Sequence, residues 1–141
     1  MTYFNIKPEV PAGFGEKTVF NDSIGQEDVS KVHLVFDGWL GDDLLTTSPI
    51  FYVTEKLAIA LKGEKFSGLL KIESIEFNKS ENFEEFYPDR VLPNFFVLRI
   101  NGVPLKDDIG IATEESGLMI SDSVYEFLKD FNLKFAKIRE I

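Results

Sequence analysis

Apolar and polar residues alternate through KVHLVFD, Lys31–Asp37. Val32, Leu34 and Phe36 fall on one side and His33, Val35 and Asp37 on the other, the period of a half-buried strand. The same period runs through SGLLKIESIEF, Ser67–Phe77, and predicts one long strand there. TYFNI (Thr2–Ile6), IFYV (Ile50–Val53), PNFFVLRI (Pro93–Ile100), GLMI (Gly117–Ile120) and LKFAKIREI (Leu133–Ile141) are short apolar runs that read as further strands. Pro8–Asp28 holds three Gly and two Pro and reads as a long loop with a short strand at Lys17–Phe20. DGWLGDD, Asp37–Asp43, reads as a turn or loop, and NGVPLKDD as a turn too broken by Pro104 to close a clean hairpin.

The period changes to that of a helix in two main places. After IFYV, Thr54 is placed to cap EKLAIALK through its hydroxyl, Glu55 meets the helix dipole, and Gly63 supplies a stop. After GLMI, Ser121 is the cap and Asp122 the first-turn acid. Val124, Phe127, Leu128 and Phe131 then form one apolar stripe. SENFEEFYPD (Ser80–Asp89) reads as a third, short helix stopped by Pro88. With Thr54 set against Ser121, FYVTEKLAIALK and LMISDSVYEFLK match: Glu55 meets Asp122, Leu57 meets Val124, Leu61 meets Leu128 and Lys62 meets Lys129. Each helix runs on into a strand rich in Lys and Ile. Two readings fit this, an internal duplication or the look that any capped amphipathic helix takes between strands. The expected fold class is α+β: a mixed, mostly antiparallel sheet with two main helices packed on one face.

Composition narrows the picture. At 141 residues, 44% hydrophobic and 14 Phe, the chain is expected to fold as a single domain, 1–141, with a core of its own. It contains no Cys, which removes disulfides, thiolate zinc sites and cysteine nucleophiles and fits a reducing cytoplasm. MTYFNIKPEV has no basic stretch leading into an apolar one, and no apolar run approaches the ~20 residues of a membrane span, so a cytoplasmic location is expected. The net charge of −9 argues against direct binding of nucleic acid, whose phosphates call for Lys and Arg, and suits a basic protein partner.

Candidate chemistry is sparse. The lone His33 bars a multi-histidine metal site, and no GxSxG elbow offers it a nucleophile, so a structural or surface histidine is expected. GFGEK (Gly13–Lys17) lacks the third glycine or GK[ST] of a phosphate loop. Two acidic doublets, Asp42-Asp43 and Asp107-Asp108, stand before apolar residues. With Asp37 they allow three roles: caps and turns, contacts to a partner, or an oxygen cage for Mg²⁺ or Ca²⁺. Trp39, between Gly38 and Gly41, is either a core anchor that needs a partner for its indole N–H or an exposed contact residue. Between Ile72 and Asp89, Glu73, Glu76, Glu81, Glu84, Glu85 and Asp89 are offset only by Lys79 and interleave with Phe77, Phe83, Phe86 and Tyr87. That is either a solvated face or an acidic–aromatic binding edge.

DDLLTTSPIFYVTEKLAIAL, RVLPNFFVLRING with the following KDDIGI, and GLMISDSVYEFLKD occur in this order between Asp42 and Ile138. The arrangement resembles small bacterial immunity proteins encoded beside polymorphic or contact-dependent toxins. The resemblance implies a binding protein that blocks a cognate toxin domain, often a nuclease, with no catalytic residues and no cofactor. Binding residues vary within such families, so none is carried over. By composition alone the expected partner-binding residues are Asp37, Trp39, Asp42, Asp43, Glu81, Glu84, Glu85, Asp107 and Asp108. Two other classes stay open. A carboxylate-based, Mg-dependent enzyme would bring Asp37, Asp42 and Asp107 together, and an adaptor domain would expose Leu133–Ile141 as a free edge strand.

Overall fold

The computed structural model of the chain describes residues 2–20, 29–112 and 117–141. These form thirteen strands: β1 (Tyr3–Lys7), β2 (Ala12–Phe14), β3 (Val19–Phe20), β4 (Val29–Lys31), β5 (His33–Phe36), β6 (Leu44–Thr47), β7 (Ile50–Thr54), β8 (Leu69–Ser74), β9 (Glu76–Lys79), β10 (Phe95–Ile100), β11 (Ile109–Ala112), β12 (Gly117–Ser121) and β13 (Lys137–Glu140). Three helices join them: α1 (Glu55–Lys62), α2 (Glu81–Phe86) and α3 (Asp122–Leu128). The class is α+β with mostly antiparallel pairing. No helix among the described residues is long and apolar enough to cross a membrane.

The strands do not make the one sheet expected from sequence. Two four-stranded antiparallel sheets, β6-β7-β10-β8 and β11-β12-β1-β13, carry the fold. A three-stranded sheet, β2-β5-β9, contains the parallel pair β5–β9, and β3–β4 form a short ribbon. The predicted long strand at Ser67–Phe77 is broken at Ile75: β8 pairs with β10, and β9 leaves to pair with β5. The predicted Pro8–Asp28 loop contributes β2 and β3, and its part from 21 to 28 lies outside the described residues.

The two four-stranded sheets have the same topology. In each, a hairpin (β6–β7 or β11–β12) leads through a helix (α1 or α3) to an edge strand (β8 or β13). A strand from elsewhere in the chain fills the gap between hairpin and edge. In the first sheet this is β10, with Phe95 opposite Thr54 and Phe96 opposite Val53. In the second it is β1, with Tyr3 opposite Ser121 and Phe4 opposite Ile120. Register therefore matches YFNIK, Tyr3–Lys7, with FFVLR, Phe95–Arg99. It likewise matches Lys71 and Ile72 with Lys137 and Ile138 at the edges. The chain is two β–ββ–α–β units, each of which lends its first strand to the other's sheet. This is the duplication reading of the helix match.

Both units face one core. Ile6, Leu44, Phe51, Val53, Leu98, Ile109, Leu118 and Ile120 meet Leu57 and Leu61 of α1 and Val124 and Leu128 of α3. The opposite face of the first sheet (Leu45, Ile50, Tyr52, Phe95, Val97) packs on Leu34 and Phe36 of β5 and on Phe83 of α2. All five residues of β7 are buried because the strand is covered on both faces, which is why IFYV shows no alternation. Among the described residues the second sheet carries no matching layer on its opposite face, only the small cluster Tyr3, Ala112 and Met119. The β2-β5-β9 sheet and α2 are the parts that the pseudo-symmetry does not account for.

Candidate functional site

The acidic doublets take the first of their three roles. Asp43 is 6% exposed. Its Oδ1 accepts the Thr54 hydroxyl at 2.7 Å and its Oδ2 the Asn132 N–H at 2.8 Å. Asp108 occupies the equivalent place in the second unit, accepting the Ser121 hydroxyl at 2.8 Å and the Ser67 N–H at 3.0 Å. The backbone repeats the pattern: Thr54 N–H donates to Asp43 O at 3.0 Å and Ser121 N–H to Asp108 O at 2.8 Å. Each aspartate thus clasps the start of its own unit's helix to the loop that follows the other unit's helix. Ser67 and its backbone N–H hold the Asp108 carboxyl below the usual range, the Ser121 hydroxyl adding to the effect, against burial. A cost of this arrangement is that the Thr54 hydroxyl, expected to cap α1, makes no cap bond and serves Asp43 instead. Ser121 does both, accepting the Val124 N–H at 3.4 Å.

The first acid of each doublet is internal as well. Asp42 is fully buried and its Oδ2 accepts the Phe135 N–H at 2.8 Å, while Asp107 Oδ2 accepts the Val103 N–H at 2.7 Å. Asp42 and Asp43 are buried and Asp107 and Asp108 half-buried, and the carboxylates of all four, expected as partner contacts, are engaged by groups of the chain itself. The reason is geometric: each lies where a chain turns into a hairpin strand and backbone N–H groups need acceptors. Among the described residues no three His, Asp or Glu side chains are arranged to hold a metal ion.

Trp39 is tied into the fold in the same way. Its indole N–H donates to Asp42 O at 2.9 Å, and its ring stands edge-on to Phe95 at 5.9 Å. It is a half-buried anchor of the core rather than a free contact residue. Arg90 closes the loop by donating from its guanidinium to Trp39 O. His33 is 6% exposed, with Nε2 2.6 Å from Asn78 Oδ1 and Nδ1 accepting the Lys17 N–H at 3.3 Å. With Nδ1 against the Lys17 N–H and Nε2 against Asn78, the ring is built into the structure.

Exposed acid collects on the α2 segment. Ser80 caps the helix by accepting the Phe83 N–H at 3.1 Å, and Ser80 N–H donates to Phe36 O at 2.9 Å. Phe83 is fully buried, with the Lys79 ammonium 5.0 Å above its ring and bonded to Arg90 O. Those ties fix a six-residue helix as a spur. Its outer side presents Glu81, Glu84 and Glu85, with Asp89 just beyond, all exposed and without an ion pair among the described residues. Asp37 is exposed as well, and its neighbour Gly38 lies against the Tyr87 ring, which places it beside the spur. Phe86 stands among these acids at 69% exposed, and Val91 beyond them at 82%. Composition identified the acids. It did not separate Phe86, turned out, from Phe83, turned in.

A cavity of about 170 Å³ lies between β8 and β9, lined by Ser30, Lys31, Glu73, Ser74, Glu76 and Arg99. It is smaller than the roughly 300–1,000 Å³ of most ligand sites, and Arg99 is held there by Glu73 and by Val29 O. β13, expected as a strand over Leu133–Ile141 and as a free edge only under the adaptor reading, spans Lys137–Glu140 and pairs with β1 on one side. Lys137 and Arg139 on it, and Lys71 at the matching place on β8, are the charges with which edge strands resist pairing.

Comparison with family models, with characterised proteins and with solved structures returned no match.

Proposed function

We propose that the chain is a cytoplasmic immunity protein that binds and neutralises a cognate bacterial toxin domain of the nuclease kind, through an acidic surface centred on α2. The observation that carries this reading is the spur itself. It sets an exposed aromatic among unpaired exposed carboxylates, on a rigid mount, in the part of the molecule that the repeat does not require. Such a surface suits a basic partner: the carboxylates speed encounter, and an aromatic seated in a pocket slows release. The sequence resemblance points the same way.

The test is a binding titration, by stopped flow and calorimetry, against the toxin domain encoded beside this chain. A 1:1 complex that abolishes toxin activity is expected. Reversal of Glu84 and Glu85 to Lys should slow association about tenfold and flatten its salt dependence. Phe86→Ala should speed dissociation ~10–30-fold. A complex unaffected by all three changes would refute the α2 surface. Absence of any complex would refute the immunity reading.

A further inference from the structure

Two buried carboxylate oxygens have no hydrogen-bond partner, Glu9 Oε1 and Asp42 Oδ1. They belong to one junction. Glu9 follows β1, bridges Leu45 in parallel fashion, and accepts the Thr46 N–H on its carbonyl at 3.0 Å. Its carboxyl group takes the Leu40 N–H, two residues before Asp42. Asp42 in turn uses only Oδ2, on the Phe135 N–H. The junction thus joins the segment after β1, the Trp39 loop and the segment before β13.

A buried carboxylate oxygen left unpaired has given up water without gaining a donor, and one proton held between the two would supply both with a partner. We propose that Glu9 and Asp42 hold one proton in common, as a hydrogen bond from a protonated Glu9 Oε1 to Asp42 Oδ1. Charged groups around the pair are Asp43 and Lys134 beside Asp42, and Arg90 beside Glu9. Protonation directions agree. Burial raises Glu9 first and the Asp42 charge raises it further, against the Leu40 N–H and Arg90. Burial also raises Asp42, against the N–H groups of Phe135 and Lys134. No third carboxylate or imidazole joins them among the described residues, so the pair is short of donors for a metal cage.

The consequence is a latch that opens with alkali. A raised acid is protonated more in the folded than in the unfolded chain. Its contribution to stability is complete below the unfolded value of ~4.3 and is lost as pH rises through the folded value. Two like charges then share a buried junction, and the Trp39 loop and the Phe135 segment lose their common tie.

The test compares the protein with Glu9→Gln, whose amide N–H supplies Asp42 Oδ1 at every pH. Thermal unfolding is followed from about pH 4.5 to about pH 9, across and beyond the carboxylate range. The melting temperatures should agree at the acid end and diverge as pH rises, Glu9→Gln ending about 3 °C or more above the unaltered protein. Carbon-13 titration of Glu9 Cδ in the unaltered protein should show a midpoint above that of a free glutamate, with Asp42 responding in the same step. A pH-independent difference together with an ordinary Glu9 midpoint would overturn the proposal. So would a rise in melting temperature on adding Mg²⁺ or Ca²⁺ that Glu9→Gln abolishes, since the pair would then be a cation site.

Discussion

Replacing Asp43 by Ala, at a residue only 6% exposed, removes the acceptor of two donors, one buried on Thr54 and one at the part-buried contact with Asn132. These are the Thr54 hydroxyl at 2.7 Å and the Asn132 N–H at 2.8 Å. Each buried donor left unpaired costs about 1–3 kcal/mol, with bonds to an ionised acceptor at the upper end. The Thr54 hydroxyl can turn and recover part of its share, whereas the Asn132 amide is fixed by its backbone. A total of about 3–4 kcal/mol follows, or a fall in melting temperature of about 10–15 °C for a domain of this size. Asp43→Asn keeps one acceptor and should cost roughly half as much. Asp130→Ala, at an exposed acid, serves as reference and should change stability by no more than about 0.5 kcal/mol. Urea unfolding gives the free energies, and hydrogen exchange at the Asn132 amide gives a local readout. If Asp43→Ala lay within about 1 kcal/mol of the reference, or the Asn132 amide stayed as slow to exchange, the clasp would not hold the two units together.

Three further outcomes are expected. Asp108, held low by Ser67 and Ser121, adds stability that is present above its unfolded pKa of ~3.9 and is lost as pH falls through the folded value. Acid unfolding of Asp108→Asn should accordingly be shallower than that of the unaltered protein, and identical slopes would count against the assignment. A methyl group added at Gly15 would overlap the His33 ring, so Gly15→Ala should cost about 1–3 kcal/mol and shift the His33 ring resonances. A silent Gly15→Ala would mean that the ring is not seated there. Phe86→Ala should leave stability within about 0.5 kcal/mol because the ring is 69% exposed, whereas Phe83→Ala should cost ~3–5 kcal/mol; equal effects would mean that the two rings are wrongly placed.

Local pattern made all three helices and several strands legible. β1, β5, β7, β10, α1, α2 and α3 lie where alternation, capping residues and apolar stripes put them. β6 and β11 were missed, since LLTT and IGIA are too short to show a period and stand directly behind acids that look like loop. The division into two sheets was not legible because it rests on β1 pairing with β12 and β13, a contact that no window of neighbouring residues contains. The doublets show why the site was read only in part. Asp42-Asp43 and Asp107-Asp108 match the composition of a charged surface, yet what decides their role is which distant N–H group comes to meet them, Asn132 for one and Ser67 for the other. Phe83, Phe86 and Tyr87 have the spacing of a single helix face. Phe83 and Tyr87 pack against each other, with ring centroids 5.7 Å apart, while Phe86 between them turns out to solvent, so the three rings do not share a side.

The exchange of first strands between the units bears on how the chain is made. β1 leaves the ribosome well before the strands on either side of it, β12 and β13, with Phe4 opposite Ile120 and Glu140. The first hairpin and α1 likewise wait for β10 before their sheet can close. Neither half can be completed during synthesis by its own residues, so the nascent chain carries open strand edges until β10, and then β12 and β13, have emerged. Folding should then be slow for the chain's length and late in translation, with loop closure between the two ends as the costly step. A ribosome-bound chain halted before Gly117 should resist proteolysis far less than the released protein, even though it already contains all of the first sheet.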